Sequence, residues 1–540
     1  MTRHLSTGRS SFQVIPELAG VLKAQTLILD CSKYSLLAVA TILKGFGTLR
    51  QGSELSLSSL PKEFRHNEIP PTAVVEVASE GLAACPWKLE MVDCRMKGQD
   101  LALLVQDSSN LVQLKVLHLG GNSLKDITAL ANVINSMESL QELRLTGNRI
   151  GNEGIVALAL GIGSISKLQV LTLDWNEIGD VGAIALLRSL RGHTRLQKLG
   201  LRHNNICEQG ALTLAKNFYH PCLQSLDLGF NSIGDEGVIS LAHRFSTISK
   251  LRYLHLAANR IGDEGAIAMA GSLQSLAALQ HLNISLNMFQ GPGSAALADG
   301  ITSLNQLCVF RSRNNNIEIQ GLVALEQSIS HLENIQELNL RKCGIGEQGA
   351  TALWRVLGSL AQLRDLQLGA NGIQDGGAIA LAESIRSLHR LQKLYLEEND
   401  VGVGGCIAVA ESLEAISSLH ELNLSGNRMK VEGAIALSRR IHLQLNLRVL
   451  LLGRSSAYPW AVKFDGRQVG QVHAVLCCSI GDKGATALAG ALRACTKLKR
   501  LDVEYSSIGE EGRAAIRALK GYLPHLDQCE VPSPRKRATP

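Results

Sequence analysis

One polar residue recurs along this chain at a near-constant interval, and that recurrence constrains the fold more than any other feature. In the pattern LxxLxLxxNx(I/L), the Asn position falls at Asn122, Asn148, Asn176, Asn204, Asn231, Asn259, Asn287 and Asn315. It continues at Cys343, Asn371, Asn399 and Asn427, with nine of the eleven intervals equal to 28 residues. A period of this length means one supersecondary unit per repeat, stacked along an axis. The stretch "LNLRKCGIGEQGATALWRVL" shows how easily the pattern imitates something else. Gly344, Gly346 and Gly349 spell GxGxxG, and Asp365 follows 21 residues after Gly344, as in a dinucleotide-binding strand–turn–helix. Yet the same glycine spacing recurs as "NRIGDEGAIAMA" at Asn259. The motif is one tooth of the repeat, and Asp365 is a variable strand residue.

The repeat extends backwards through Cys94 to weaker copies at Leu60 and Ser32, with about six extra residues around "RHNEIPP". Forwards it reaches Cys478 and Ser506. Joining Arg454 to Cys478 gives "LRVLLLGRCSIGDKGATAL", a regular unit, so residues 455–477 read as a 23-residue insertion at a strand-to-helix turn. A solenoid accepts such a loop at small entropic cost. The expected organisation is an N-terminal cap over 1–20, degenerate repeats over 21–110 and regular repeats over 111–454. The insertion at 455–477, final repeats with a C-terminal cap over 478–531, and a disordered basic tail over 532–540 complete it. About 17 repeats leave no room for a catalytic domain.

Each unit reads as a short strand with alternating Leu, a turn, and a helix with apolar residues at i, i+3, i+4 and i+7. Aromatic residues make up only 4% of the chain, so the core is Leu, Ile, Val and Ala. Strands sit about 4.8 Å apart and helices about 10 Å apart, so one of each per repeat forces a bend. The expected fold is α/β, a horseshoe solenoid with the parallel β-sheet on the concave face and helices on the convex face. The recurring Asn is buried in this geometry and must bond turn backbone, so Asn259→Ala and Asn371→Ala are each expected to cost on the order of 1–3 kcal/mol. Cys94, Cys343 and Cys478 in the same slot read as structural residues.

These "LxxLxLxxNxIGDEGAxALAxxL" units are most complete at Leu168–Leu190, Leu251–Leu273 and Leu419–Leu437. With them the chain resembles leucine-rich-repeat proteins of the ribonuclease-inhibitor-like subfamily, and within it the repeat region of NOD-like receptors. That resemblance implies a non-enzymatic scaffold or sensor that binds a protein on its concave face. The chain shows no P-loop GxxxxGK(S/T), so the nucleotide-driven assembly of a full receptor is not implied. The alternative is a GTPase-activating protein resembling the Ran-directed family, whose acidic tail is here replaced by the basic "PRKR". Ribonuclease inhibition ranks last, because a net charge of +6 disfavours capture of a basic enzyme.

The remaining features point the same way. The twelve Cys form no CxxC pair and the fifteen His form no HExxH, so no metal, cofactor or catalytic set is expected. A net charge of +6 spread over this length is too weak to argue for nucleic acid, which is not expected as a partner. No apolar run is long enough for a membrane span, and no signal-peptide core precedes the repeats, so the expected setting is the cytoplasm, with the nucleus as alternative.

The expected readout surface is the set of strand positions one, two, four and six before the Asn. Along it Trp175, His203, Phe230, Tyr253 and His255 bring rings into four consecutive repeats. Arg311, Arg313, Arg341 and Lys342 follow as a basic patch that would suit an acidic segment of a protein partner, and no small-molecule substrate is expected.

Overall fold

The computed structural model describes residues 3–4, 26–30, 54–58, 87–106, 111–453 and 478–531. Apart from the strands at Thr26–Asp30 and Glu54–Ser58, the repeats expected at Ser32 and Leu60 lie outside the described residues, as do most of the N-terminal cap, the insertion 455–477 and the tail 532–540. The chain divides into two compact units, Met1–Arg260 and Ile261–Pro540.

The first unit is a parallel sheet in which each strand pairs with the next along the chain, from Arg3–His4 to Tyr253–His255. Register is set by the central leucines: Leu117, Leu143, Leu171, Leu199, Leu226 and Leu254 stand opposite one another. All six are buried, while their strand neighbours are mostly half-exposed on the other face. A one-residue slip would turn every leucine to solvent, so the alternation locks the register. The second unit repeats this arrangement from His281–Asn283 to Gln528–Glu530. From Gly151–Ile162 to Glu510–Ala518, the helices run 9–12 residues and bury Ala, Gly, Leu and Ile. Each unit is therefore an α/β leucine-rich-repeat solenoid, with a sheet layer and a helix layer.

The Asn ladder carries the turns. Asn148 Nδ2 donates to the Leu119 and Leu145 carbonyls at 2.9 and 2.8 Å, and its own N–H donates to Asn176 Oδ1 at 3.1 Å. Asn371 repeats this with Leu340, Leu368 and Asn399 at 2.8, 2.9 and 2.8 Å. Cys343 keeps the N–H bond to Asn371 Oδ1 at 2.7 Å and the cross-repeat side-chain bond, Sγ to the Ser312 carbonyl at 3.2 Å, and burial pushes its thiol up to about 12. A thiol so protonated is a structural donor, not a nucleophile. Gly344 and Gly346 of the GxGxxG stretch hold left-handed turn conformations, with φ of 67° and 65°. Gly349 lies against Leu322, where a Cβ would collide with the preceding helix.

A second ladder has no counterpart in the sequence reading. The acidic residue of the "GDEG" turn caps the helix of the following repeat. Asp263 Oδ1 accepts from the N–H groups of Gln290 and Gly293 at 2.7 and 2.9 Å. Asp375 does the same for Gly402 and Gly405 at 2.8 and 2.7 Å, and Asn152 for Gly179 and Gly182 at 2.8 and 3.0 Å. These helix starts carry no side-chain cap of their own; the reaching oxygen satisfies orphan N–H groups, and at Asp263 and Asp375 it belongs to a carboxylate facing the positive end of the helix dipole.

The repeat at Leu447 closes across the inserted segment. Cys478 Sγ donates to the Leu424 carbonyl, 54 positions back, whereas Cys343 reaches 31 positions back. The difference equals the length of the insertion. Val449–Leu451 pairs directly with Arg500–Asp502, so both sides of the insertion are in normal repeat register. Deleting residues 455–477 is therefore expected to leave the far-ultraviolet circular dichroism and a cooperative melting transition in place. Loss of the cooperative transition would show that the segment belongs to the core.

Candidate functional site

The residue immediately before the Asn slot adopts left-handed backbone in repeat after repeat, with φ of 59° at Trp175, 51° at His203 and 57° at Phe230. Such a conformation is costly for residues other than Gly. Here a ladder hydrogen bond on either side holds it: Trp175 N–H donates to the Arg202 carbonyl, and Asn176 N–H to Asn204 Oδ1. The shared backbone aims three rings the same way. Trp175 and His203 stack at 3.4 Å and 14°, and His203 and Phe230 at 4.0 Å and 14°. Arg202 lays its guanidinium on the Phe230 ring at 4.8 Å. Burial, followed by the adjacent Arg202 charge, draws His203 down to about 4, so a neutral imidazole stands between the two rings at physiological pH. Trp175 remains 54% exposed.

His255 is a correction to the expected readout surface. It is only 3% exposed, it pairs with Asp227 at 2.9 Å, and its ring lies edge-on beneath Phe230 at 6.5 Å. Gly229 leaves the space: a Cβ there would meet the His255 ring at 2.9 Å. His255 supports the ladder from below rather than meeting a partner. Tyr253 is half-exposed and edge-on to His255 at 6.2 Å.

In the second unit the expected basic patch is corrected too. Arg311 meets Glu337 with Nε and Nη2 at 2.5 and 2.7 Å. The Arg341 side chain is 12% exposed; its Nε contacts Glu397 at 2.6 Å and its Nη2 contacts Glu398 at 3.7 Å. Glu397 reaches across the intervening strand because Gly369 has no side chain; a Cβ at that point would overlap the carboxylate. Asn423 Nδ2 donates to the other carboxylate oxygen at 3.2 Å. Lys393 lies between Asp365 and Glu421 at 3.9 and 3.4 Å. Arg311 and Arg341 are thus neutralised within the sheet, and the patch no longer argues for an acidic partner segment. Arg313 and Lys342 are half-exposed beside them.

Among the described residues, no cluster of His, Cys, Asp and Glu has metal-holding geometry, and no helix is long and apolar enough to cross a membrane. The family described as "Leucine Rich repeat" matches residues 136–159, 164–187, 219–242, 247–270, 331–353, 361–382 and 415–438. Repeat sequence and repeat geometry together make this a leucine-rich-repeat protein. Its fold is similar to a leucine-rich-repeat protein of Leptospira interrogans, at 17% identity over 96% of this chain and 98% of that one, with a TM-score of 0.48. An internalin from Listeria monocytogenes is similar at 22% identity, over 65% of this chain and 92% of that one, with a TM-score of 0.43. The plant peptide hormone receptor RGFR1 in complex with RGF2 is similar at 16% identity, over 89% and 77%, with a TM-score of 0.40. No curated protein matches the chain.

Proposed function

We propose that this protein is a non-enzymatic scaffold or sensor that binds a protein partner on the open sheet face of its first unit. One observation carries the reading: a continuous stack of Trp175, His203 and Phe230 stands in strained backbone positions, with the tryptophan half in solvent. Exposed, pre-positioned aromatic rings lose little entropy on binding and commonly dominate interface energy. The ribonuclease-inhibitor-like and NOD-like receptor resemblance supports the same reading. It rests on the 28-residue period and on a helix of 9–12 residues in each regular repeat. No feature of the described residues favours GTPase activation or ribonuclease capture over this reading. The intracellular setting read from the sequence is part of the proposal.

The test is affinity capture followed by binding measurements on the captured protein. Trp175→Ala combined with Phe230→Ala is expected to weaken binding at least tenfold, as loss of an interface anchor does. Arg311→Gln is expected to leave it unchanged. Parent-like binding by the aromatic variant, after circular dichroism confirms its fold, would remove the first unit's sheet face from consideration.

A further inference from the structure

The ring ladder stops at Trp175 on one side, and the structure shows what lies beyond. The two preceding repeats carry Gly147 and Gly121 in the ladder slot, with φ of 73° and 68°. Where a Cβ on Gly147 would stand, the only atoms within 4 Å are the Gly121 backbone, so the space above it is open. The space above Gly121 is filled by the carboxylate of Asp93, which reaches over from the repeat before it. One Trp175 face is covered by His203 at 3.4 Å. The other faces the opening over Gly147. Two strand spacings, roughly 9.6 Å, separate Gly121 from Trp175. The result is a slot with an indole wall, a glycine floor and a carboxylate wall.

We infer that this slot takes an arginine side chain presented by the protein partner. The inference rests on the proposed protein-binding role of this face. A guanidinium is flat, so it can lie against the indole, and it is cationic, so it can pair with Asp93 at its edge. The chain already shows the same contact internally, where the Arg202 guanidinium lies on the Phe230 ring at 4.8 Å. Charge supports the choice. Asp93 is exposed and makes no ion pair among the described residues. The neighbouring cations are engaged, Arg144 with Glu142 at 2.7 Å and Arg149 with Glu177 at 3.8 Å. Asp174 turns its carboxylate away from the slot, over Gly200 of the following repeat, where it accepts the Arg202 N–H at 2.7 Å. A nucleobase could stack on the indole, but its phosphates would meet the Asp93 carboxylate.

The probe is a capped glycine pentapeptide with a central arginine, titrated into the full chain. The readout is the indole N–H resonance of Trp175, assigned with Trp175→Phe. A saturable shift is expected with the arginine peptide and none with the citrulline peptide, which keeps the shape and loses the charge. Asp93→Asn is expected to weaken the arginine peptide by about fivefold, the range of a solvent-exposed ion pair. Gly147→Leu is expected to abolish binding by filling the slot; Leu286 shows that leucine is accepted there, at φ of 59°. Should that variant fail to fold, Asp93→Asn and the citrulline peptide still decide. Equal shifts with arginine and citrulline, an unchanged affinity in Asp93→Asn, or tighter binding of an oligothymidylate would overturn the inference. If a captured partner depends on Trp175 but not on Asp93, and the peptide does not bind, the slot fails and the scaffold reading stands. If the partner ignores Trp175 and Phe230 while the peptide binds, the reverse holds.

Discussion

Glu397→Ala is expected to destabilise the second unit by about 3–5 kcal/mol, the cost of leaving one partner of a buried ion pair alone. The loss is large because Arg341 cannot escape to water. Its side chain is 12% exposed, and Glu397, at 7%, accepts from its Nε at 2.6 Å. Removing the carboxylate leaves the guanidinium against the sheet with only its longer contact to Glu398, at 3.7 Å. It also leaves Asn423 Nδ2 without the acceptor it now has at 3.2 Å. Replacing both partners, with Arg341→Met and Glu397→Met, is expected to recover most of the loss, since no charge is then left buried. The urea unfolding midpoint of the two variants and the parent measures both. A loss below about 1 kcal/mol in Glu397→Ala, the range of exposed pairs, would show that the pair is solvated. Gly369→Val should reproduce much of the effect from the other side, because its side chain would occupy the space that Glu397 crosses.

Asn371→Ala is expected to cost about 3 kcal/mol, the upper end of the range for leaving buried polar groups unpaired. The side chain's three shortest bonds all go to backbone: it donates to the Leu340 and Leu368 carbonyls and accepts from Cys343 N–H at 2.7 Å. It is 4% exposed, so water cannot replace those bonds without opening the turn. Denaturant unfolding gives the number directly. A change of less than about 0.5 kcal/mol would match an ordinary surface position and contradict the ladder. Asn371→Cys is expected to fall between the two, because Cys343 and Cys478 hold the same slot with a thiol donor and no side-chain acceptor for the preceding repeat.

The sequence was a good guide wherever a residue's role repeats with the period. The leucine face, the Asn slot and the strand positions that hold Trp175, His203 and Phe230 all follow from position within a unit. It was a poor guide to what neighbouring units do to one another. Arg341 and Glu397 are 56 residues apart, and nothing within either repeat marks them as partners. They meet because Gly369, in the unit between them, has nothing to keep them apart. His255 sits in a nominally exposed slot and is buried because Gly229 leaves a cavity for its ring. The "GDEG" acid was visible as a recurrent residue, but its acceptor role concerns the next helix, about 27–30 residues on.

What the sequence determined by itself is the unit: one strand, one turn and one helix, with a buried polar rung. Each of these depends on local alternation and on the burial that any identical neighbour supplies. Only the tertiary structure decided the surface chemistry of the sheet. Which charges cancel, which rings stack and which slot stays open depend on the particular side chain, or its absence, one or two strands away. That information lies between repeats rather than within them, and a distance of about 4.8 Å between strands makes every such neighbour count.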